Sequence, residues 1–63
     1  MWTTYWFEIK DGEYEGEQFL TELKDATRVQ HVAHARKYFP NERIVCFGEI
    51  TQDFAEMLGL DTY

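Results

Sequence analysis

Asp11-Gly12 stands between two alternating runs, one ending in Tyr5-Trp6-Phe7-Glu8-Ile9-Lys10 and one continuing through Glu13-Tyr14-Glu15-Gly16-Glu17. An Asp-Gly pair in that position is the strongest short-range signal for a β-hairpin, because the primed two-residue turns need positive φ at their centre. Such a turn sets Lys10 opposite Glu13, Ile9 opposite Tyr14, Glu8 opposite Glu15, Phe7 opposite Gly16 and Trp6 opposite Glu17. Tyr5, Phe7, Ile9 and Tyr14 then line one surface. Thr4, Trp6, Glu8, Lys10, Glu13, Glu15 and Glu17 line the other. Gly16 would let the Phe7 ring lie over bare backbone, and Lys10 would relieve the Glu8–Glu15 repulsion from a diagonal position.

The rest of the chain divides into three further elements. Residues 20 to 25 read as a connection, with Thr21 or Asp25 as N-cap of a helix that runs to about Phe39 and stops before Pro40. At 100° per residue, Ala26, Val29, Val32, Ala33, Ala35 and Phe39 share one half of that helix. Gln30, His31, His34, Lys37 and Tyr38 fall on the other half. Pro40-Asn41 turns the chain into a strand over residues 43–50 that is apolar on both faces, Ile44, Cys46 and Ile50 on one and Val45 and Phe47 on the other. Gly48 marks a bulge or a close contact. Thr51 caps a short helix from Gln52 to Leu58, closed by Gly59.

The order ββαβα specifies an α+β fold, a single domain over residues 1–63. The main helix covers the Tyr5/Phe7/Ile9 side of a three-stranded sheet, and a right-handed crossover places the third strand beside the first and parallel to the second. Trp6, Val45 and Phe47 then meet on the opposite face, under the C-terminal helix or under a second copy of the chain. Contiguous apolar area of that kind marks an interface, and a homodimer is the favoured occupant.

Composition narrows the function classes. A chain of 63 residues buries only about 60% of its unfolded surface, and the lone Cys46 excludes an internal disulfide or a thiolate zinc site. An aromatic content of 17% takes their place as core material. Residues 8–22 set Lys10 against Glu8, Asp11, Glu13, Glu15, Glu17 and Glu22, within a net charge of −6 for the chain. That balance opposes binding to nucleic acid or anionic membranes and fits a basic partner. Duplex mimicry needs denser acid: alternate strand residues lie about 6.8 Å apart, against one duplex charge per roughly 1.7 Å. No apolar run reaches a membrane span and no leader pattern opens the chain, so a reduced, cytoplasmic setting is the default.

Chemistry-bearing residues are few. His31 and His34, spaced i,i+3 with Tyr38 beyond, lack a third metal ligand. Arg36 falls within the apolar half of the main helix, where its stem packs and its guanidinium reaches an edge, or pairs with Glu49 or Asp53. Cys46 has no adjacent base and reads as a core or interface residue. No phosphate loop, nucleophile elbow or calcium loop is present, so no catalytic residue, cofactor or metal is expected, and the chain reads as a non-enzyme. The reading is a small acidic protein-interaction module that self-associates and binds a basic protein through the hairpin's outer face, using Trp6, Glu8, Glu13, Glu15, Glu17, Val45 and Phe47. The alternatives are a regulatory dimer responding to a small ligand or ion at the His31/His34/Tyr38 surface, and a structural or host-directed accessory subunit of the kind viruses encode.

Overall fold

The computed structural model describes residues 1–63. Five elements follow in the expected order: β1 (Trp2–Asp11), β2 (Gln18–Lys24), α1 (Arg28–Tyr38), β3 (Arg43–Ile50) and α2 (Gln52–Leu58). The sheet order is β2-β1-β3, with both neighbours antiparallel to β1. β3 therefore lies beside β1 and runs parallel to β2, as an α+β ββαβα chain requires.

The hairpin register differs from that of a two-residue turn. Phe7 faces Phe19, Trp6 faces Leu20 and Glu8 faces Gln18. The connection is a longer loop, and Ile9 accepts from Gly16 N–H and donates to Glu17 O, each at 2.8 Å. Two residues thus oppose one, a bulge that Gly16 accommodates at φ +91°. The reason lies in burial. Residues 18–24, Gln-Phe-Leu-Thr-Glu-Leu-Lys, bring Phe19, Leu20 and Thr21 into the interior, all at most 2% exposed. The short-turn register would have offered Tyr14 and three glutamates instead. One buried aromatic is worth about 1.5–3 kcal/mol, which exceeds the few tenths of a kcal/mol in cross-strand preferences. Because the shift is odd in residues, every β2 side chain changes face. Residues 20 to 24 accordingly belong to β2, and only Asp25 turns the chain out of it.

The main core lies between the sheet and α1. Phe7, Ile9, Phe19 and Ile44 of the sheet meet Ala35 and Phe39, with Tyr5, Val32 and Cys46 packed against them. The Phe7 and Phe19 rings stack at 5.1 Å and 5°. The helix begins later than its apolar pattern implied. Its N-cap is Thr27, in a capping box with Gln30, and not Thr21 or Asp25. It is also rotated, so that His31, Ala35 and Phe39 face the core while Val29 is 76% exposed. Arg36 is consequently an exposed residue without an ion pair, so the pairing with Glu49 or Asp53 does not form.

α2 covers part of the other sheet face. Thr51 accepts from Phe54 N–H, and Gly59 ends the helix in the left-handed conformation. Thr4, Leu20 and Ala55 are buried on this side. The chain then crosses the outer edge of β2, where Leu20 N–H donates to Asp61 O and Tyr63 N–H donates to Leu20 O. The Tyr63 ring closes against Phe19 and Phe39 at 5.5 and 5.4 Å. The outer edge of β3 has no strand beside it. There the Arg28 guanidinium donates to the Cys46 carbonyl at 2.9 Å, a charged cover of the sort that discourages edge-to-edge pairing.

Phe19→Ala is expected to destabilise the protein by about 3–5 kcal/mol, and Tyr14→Ala by under about 1 kcal/mol. Urea unfolding of the two variants measures both. The reverse ranking would return Tyr14 to the core and restore the short-turn register.

Candidate interaction surface

The outer sheet face assembles part of the residue set expected from the sequence. Trp6 lies against Phe47 at 4.8 Å with the rings near perpendicular, and Phe54 of α2 approaches Trp6 from the other side at 5.7 Å. Phe47 is 46% exposed and Phe54 is 39% exposed. Aromatic edges and faces in this arrangement are favourable beyond their buried area. α2 therefore occupies the face without sealing it.

Phe47 sits at a bulge in β3. Trp6 pairs with Gly48 and Phe7 with Cys46, leaving Phe47 as the extra residue. Gly48, at φ +130°, takes a conformation that side chains resist. The bulge also reverses the alternation beyond it. Ile50 pairs with Thr4 and joins the outer face, leaving the Ile44 and Cys46 side, while Glu49 pairs with Tyr5 on the inner side.

Glu8 and Val45 face each other across the strands near this cluster. Gln18 links them to the tryptophan: the Trp6 indole donates to Gln18 Oε1 at 3.2 Å, and Gln18 Nε2 donates to Glu8 Oε1 at 2.9 Å. Lys10 pairs with the other Glu8 oxygen at 2.6 Å. Lys10, with Gln18 behind it, holds the Glu8 carboxyl below its ordinary range. The Glu8–Glu15 repulsion implied by the short turn does not arise. Glu13, Glu15 and Glu17 sit in the loop between β1 and β2 and not on a strand, so they cannot form a ladder of carboxylates beside Trp6.

α2 supplies the acidic groups that the hairpin does not. Asp53 and Glu56 are exposed on it, and it bears no base. α1, on the far side of the sheet, carries Arg28, Arg36 and Lys37 with no acid. The sheet separates a basic layer from an acidic one. The spacing of Phe54 and Leu58 in the sequence signalled an apolar helix face, but not its meeting with Trp6.

His31 is the largest departure from the expected surface. It is fully buried, its ring 4.3 Å from that of Tyr5, and it joins α1 to both hairpin strands. Nδ1 lies 2.7 Å from the Thr21 hydroxyl and Nε2 lies 2.7 Å from the Thr3 hydroxyl. The Thr3 hydroxyl also has the Leu23 and Ala26 carbonyls at 3.4 Å, whereas Thr21 has no other acceptor. Donation therefore runs from Thr21 O–H to Nδ1, from Nε2–H to Thr3 Oγ1, and on to those carbonyls, which assigns a neutral ring protonated at Nε2. The His31/His34/Tyr38 ligand surface is thereby dismantled. His34 keeps an edge contact with Tyr38 at 5.3 Å, and no group of three metal-ligating side chains forms anywhere in the chain.

No helix is long and apolar enough to cross a membrane. Comparisons with protein-family models, with curated proteins and with solved structures returned no match.

Burial holds the His31 ring below its ordinary value of 6.5, with the charge of His34 adding to the effect and Glu49 opposing it. On acidification the unfolded chain takes up this proton first. Stability from His31 is therefore complete above about pH 6.5 and falls as the pH drops toward the depressed native value. Melting temperature measured against pH should show that decline in wild type and in His34→Ala alike. Thr21→Val, which removes the donor to Nδ1, should cost about 1–3 kcal/mol. An imidazole ¹⁵N spectrum near neutral pH showing Nδ1 protonated would overturn the assigned direction.

Proposed function

We propose that the chain is a protein-interaction module that binds a basic partner through the Trp6/Phe47/Phe54 face. The observation that carries this reading is a half-exposed aromatic cluster on the acidic side of a charge-layered molecule. Aromatic residues dominate the energy of interfaces when they fill pockets at their centre. Surrounding carboxylates speed encounter with a positive surface and make it depend on salt. Asp53 and Glu56 play that part, since Glu8 is already paired with Lys10, and the loop acids Glu13, Glu15 and Glu17 add to the long-range field. The module is read as non-catalytic, acting by occupancy.

Self-association through the same face is the competing reading. It gains from the exposed rings, which a second copy would cover. It suffers from symmetry, since a two-fold interface sets each patch against itself and brings like charges together. A basic partner relieves both the exposed apolar area and the uncompensated charge.

Affinity capture from the native host, with mass spectrometry, supplies the partner, and isothermal titration then measures it against purified variants. Phe47→Ala with Phe54→Ala should weaken binding at least about tenfold, in line with loss of two interface anchors, and raising salt from low to physiological strength should weaken wild-type binding. A captured partner that binds the double variant equally well would refute the proposed face. A sedimentation mass near twice 7.6 kDa that falls to the monomer value in the double variant would give the face to a second copy instead.

A further inference from the structure

Residues 51–63 form a strap that crosses the sheet from β3 to the far edge of β2. The chain leaves β3 at Ile50, and Thr51 caps α2, which sets Phe54 against Trp6 on the outer face. Beyond Gly59, whose φ of +62° turns the chain, Asp61–Tyr63 runs along the outer edge of β2. Leu20 N–H donates to Asp61 O at 2.9 Å and Tyr63 N–H donates to Leu20 O at 2.8 Å, with Thr62 beside Leu20 as in a parallel strand pair. The Tyr63 ring then reaches around this edge to the inner side of the sheet. There it lies 4.9 Å from the ring of Tyr38 on α1, and 5.5 and 5.4 Å from those of Phe19 and Phe39. One segment touches both layers of the molecule.

α2 has little of its own to hold it in place. It has 7 residues, whereas isolated helices shorter than about 12–15 residues are marginal in water. Ala55 is its one buried residue. No side chain from Gln52 to Tyr63 makes a hydrogen bond or an ion pair. Apolar contact alone therefore joins α2 to the sheet beneath it. Its position depends on its two attachments, Thr51 at the end of β3 and Asp61–Tyr63 on β2. A helix of that length spans about 10 Å, and the crossing from β3 over β1 to β2 covers two strand spacings of about 4.8 Å each, so α2 bridges the two anchors.

We propose that Tyr63 is the latch of this strap: its ring, seated on the inner side of the sheet, fixes α2 against Trp6 on the outer side and so assembles the Trp6/Phe47/Phe54 face. The inference rests on the reading of that face as a binding surface and adds the residue that holds it ready. With the latch seated, Phe54 and the acids Asp53 and Glu56 are in place before a partner arrives, which removes an ordering cost from association. With the latch released, α2 is tied to the sheet only through Thr51, and Phe54 leaves the face together with both acids. Tyr63 is a positioning residue on the opposite side of the sheet from the partner. Its hydroxyl has no hydrogen-bond partner, so the ring carries the latch.

The test compares wild type, Tyr63→Ala and Tyr63→Phe by nuclear magnetic resonance of the whole chain. In Tyr63→Ala the Overhauser contacts between the Phe54 and Trp6 rings should be lost. The amides of Leu20, Ala55 and Gly59, bonded to Asp61 O, Thr51 O and Ala55 O, should exchange faster together by about tenfold, as the opening of one cooperative unit requires. The His31 amide within α1 and the Phe7–Phe19 ring contacts should stay as in wild type, and Tyr63→Phe should keep the wild-type pattern throughout. Phe54–Trp6 contacts that survive in Tyr63→Ala would overturn the proposal, as would faster exchange at Leu20 with Ala55 and Gly59 unchanged. Loss of the Phe7–Phe19 contacts as well would make Tyr63 an ordinary core residue and would also overturn it. Partner affinity is the second arm: Tyr63→Ala should weaken binding by about tenfold through lost preorganisation, and Tyr63→Phe should not. Equal binding by Tyr63→Ala and wild type would refute the latch. The spectra need no partner, so they test the coupling of Tyr63 to α2 even where Phe47→Ala with Phe54→Ala has refuted the face.

Discussion

Phe7 and Phe19 stand opposite each other on β1 and β2 with their rings stacked, and every hairpin side chain takes its face from that pairing. With period two along a strand, there are only two ways to assign faces, and one stack of fully buried aromatics decides between them. The choice puts Thr21 inward, where it meets His31, and Leu20 outward, where it is buried on the side that α2 covers. It also lengthens the turn and leaves Glu13, Glu15 and Glu17 in the loop. Turn chemistry at Asp11-Gly12 contributes less than the apolar area gained, so the local preference yields.

The position of α1 follows from a polar contact inside an apolar layer. His31 bonds Thr3 of β1 and Thr21 of β2 through its two nitrogens, 2.7 Å each. A neutral imidazole in such a site is satisfied only at one rotation of the helix, since either nitrogen left unpaired would cost more than the bond is worth. This explains why Val29 is abandoned to solvent although it is a better core residue by transfer energy. The geometry gains a unique helix setting and gives up some apolar burial. A small domain with marginal stability accepts that exchange because one buried polar link excludes neighbouring packings.

Surface character is set by layering. The three basic residues within α1 and the two acids within α2 lie on opposite sides of a sheet that is one residue thick. The charge separation is therefore a property of which helix covers which face. The bulge at Phe47 acts on the same surface: beyond it Ile50 turns outward and Glu49 turns to the inner side opposite Tyr5. A regular strand would have placed Ile50 in the main core.

Sequence alone determined the existence and order of the elements, the α+β class, the strand order, the caps at Thr51 and Gly59, and the company of Trp6, Val45 and Phe47. These follow from signals within a few residues: period two, period 3.6, Gly, Pro and Thr at element ends. Register, helix rotation and the covering of the outer face were decided only by tertiary structure. Each depends on energies between residues distant in the chain, the Phe7–Phe19 stack, the His31 link to Thr3 and Thr21, and the Trp6–Phe54 contact. Local pattern had marked His31 as polar surface because a lone imidazole carries no sign of the two hydroxyls that will meet it. Those hydroxyls lie 28 and 10 residues away, and only the folded sheet brings both to the ring.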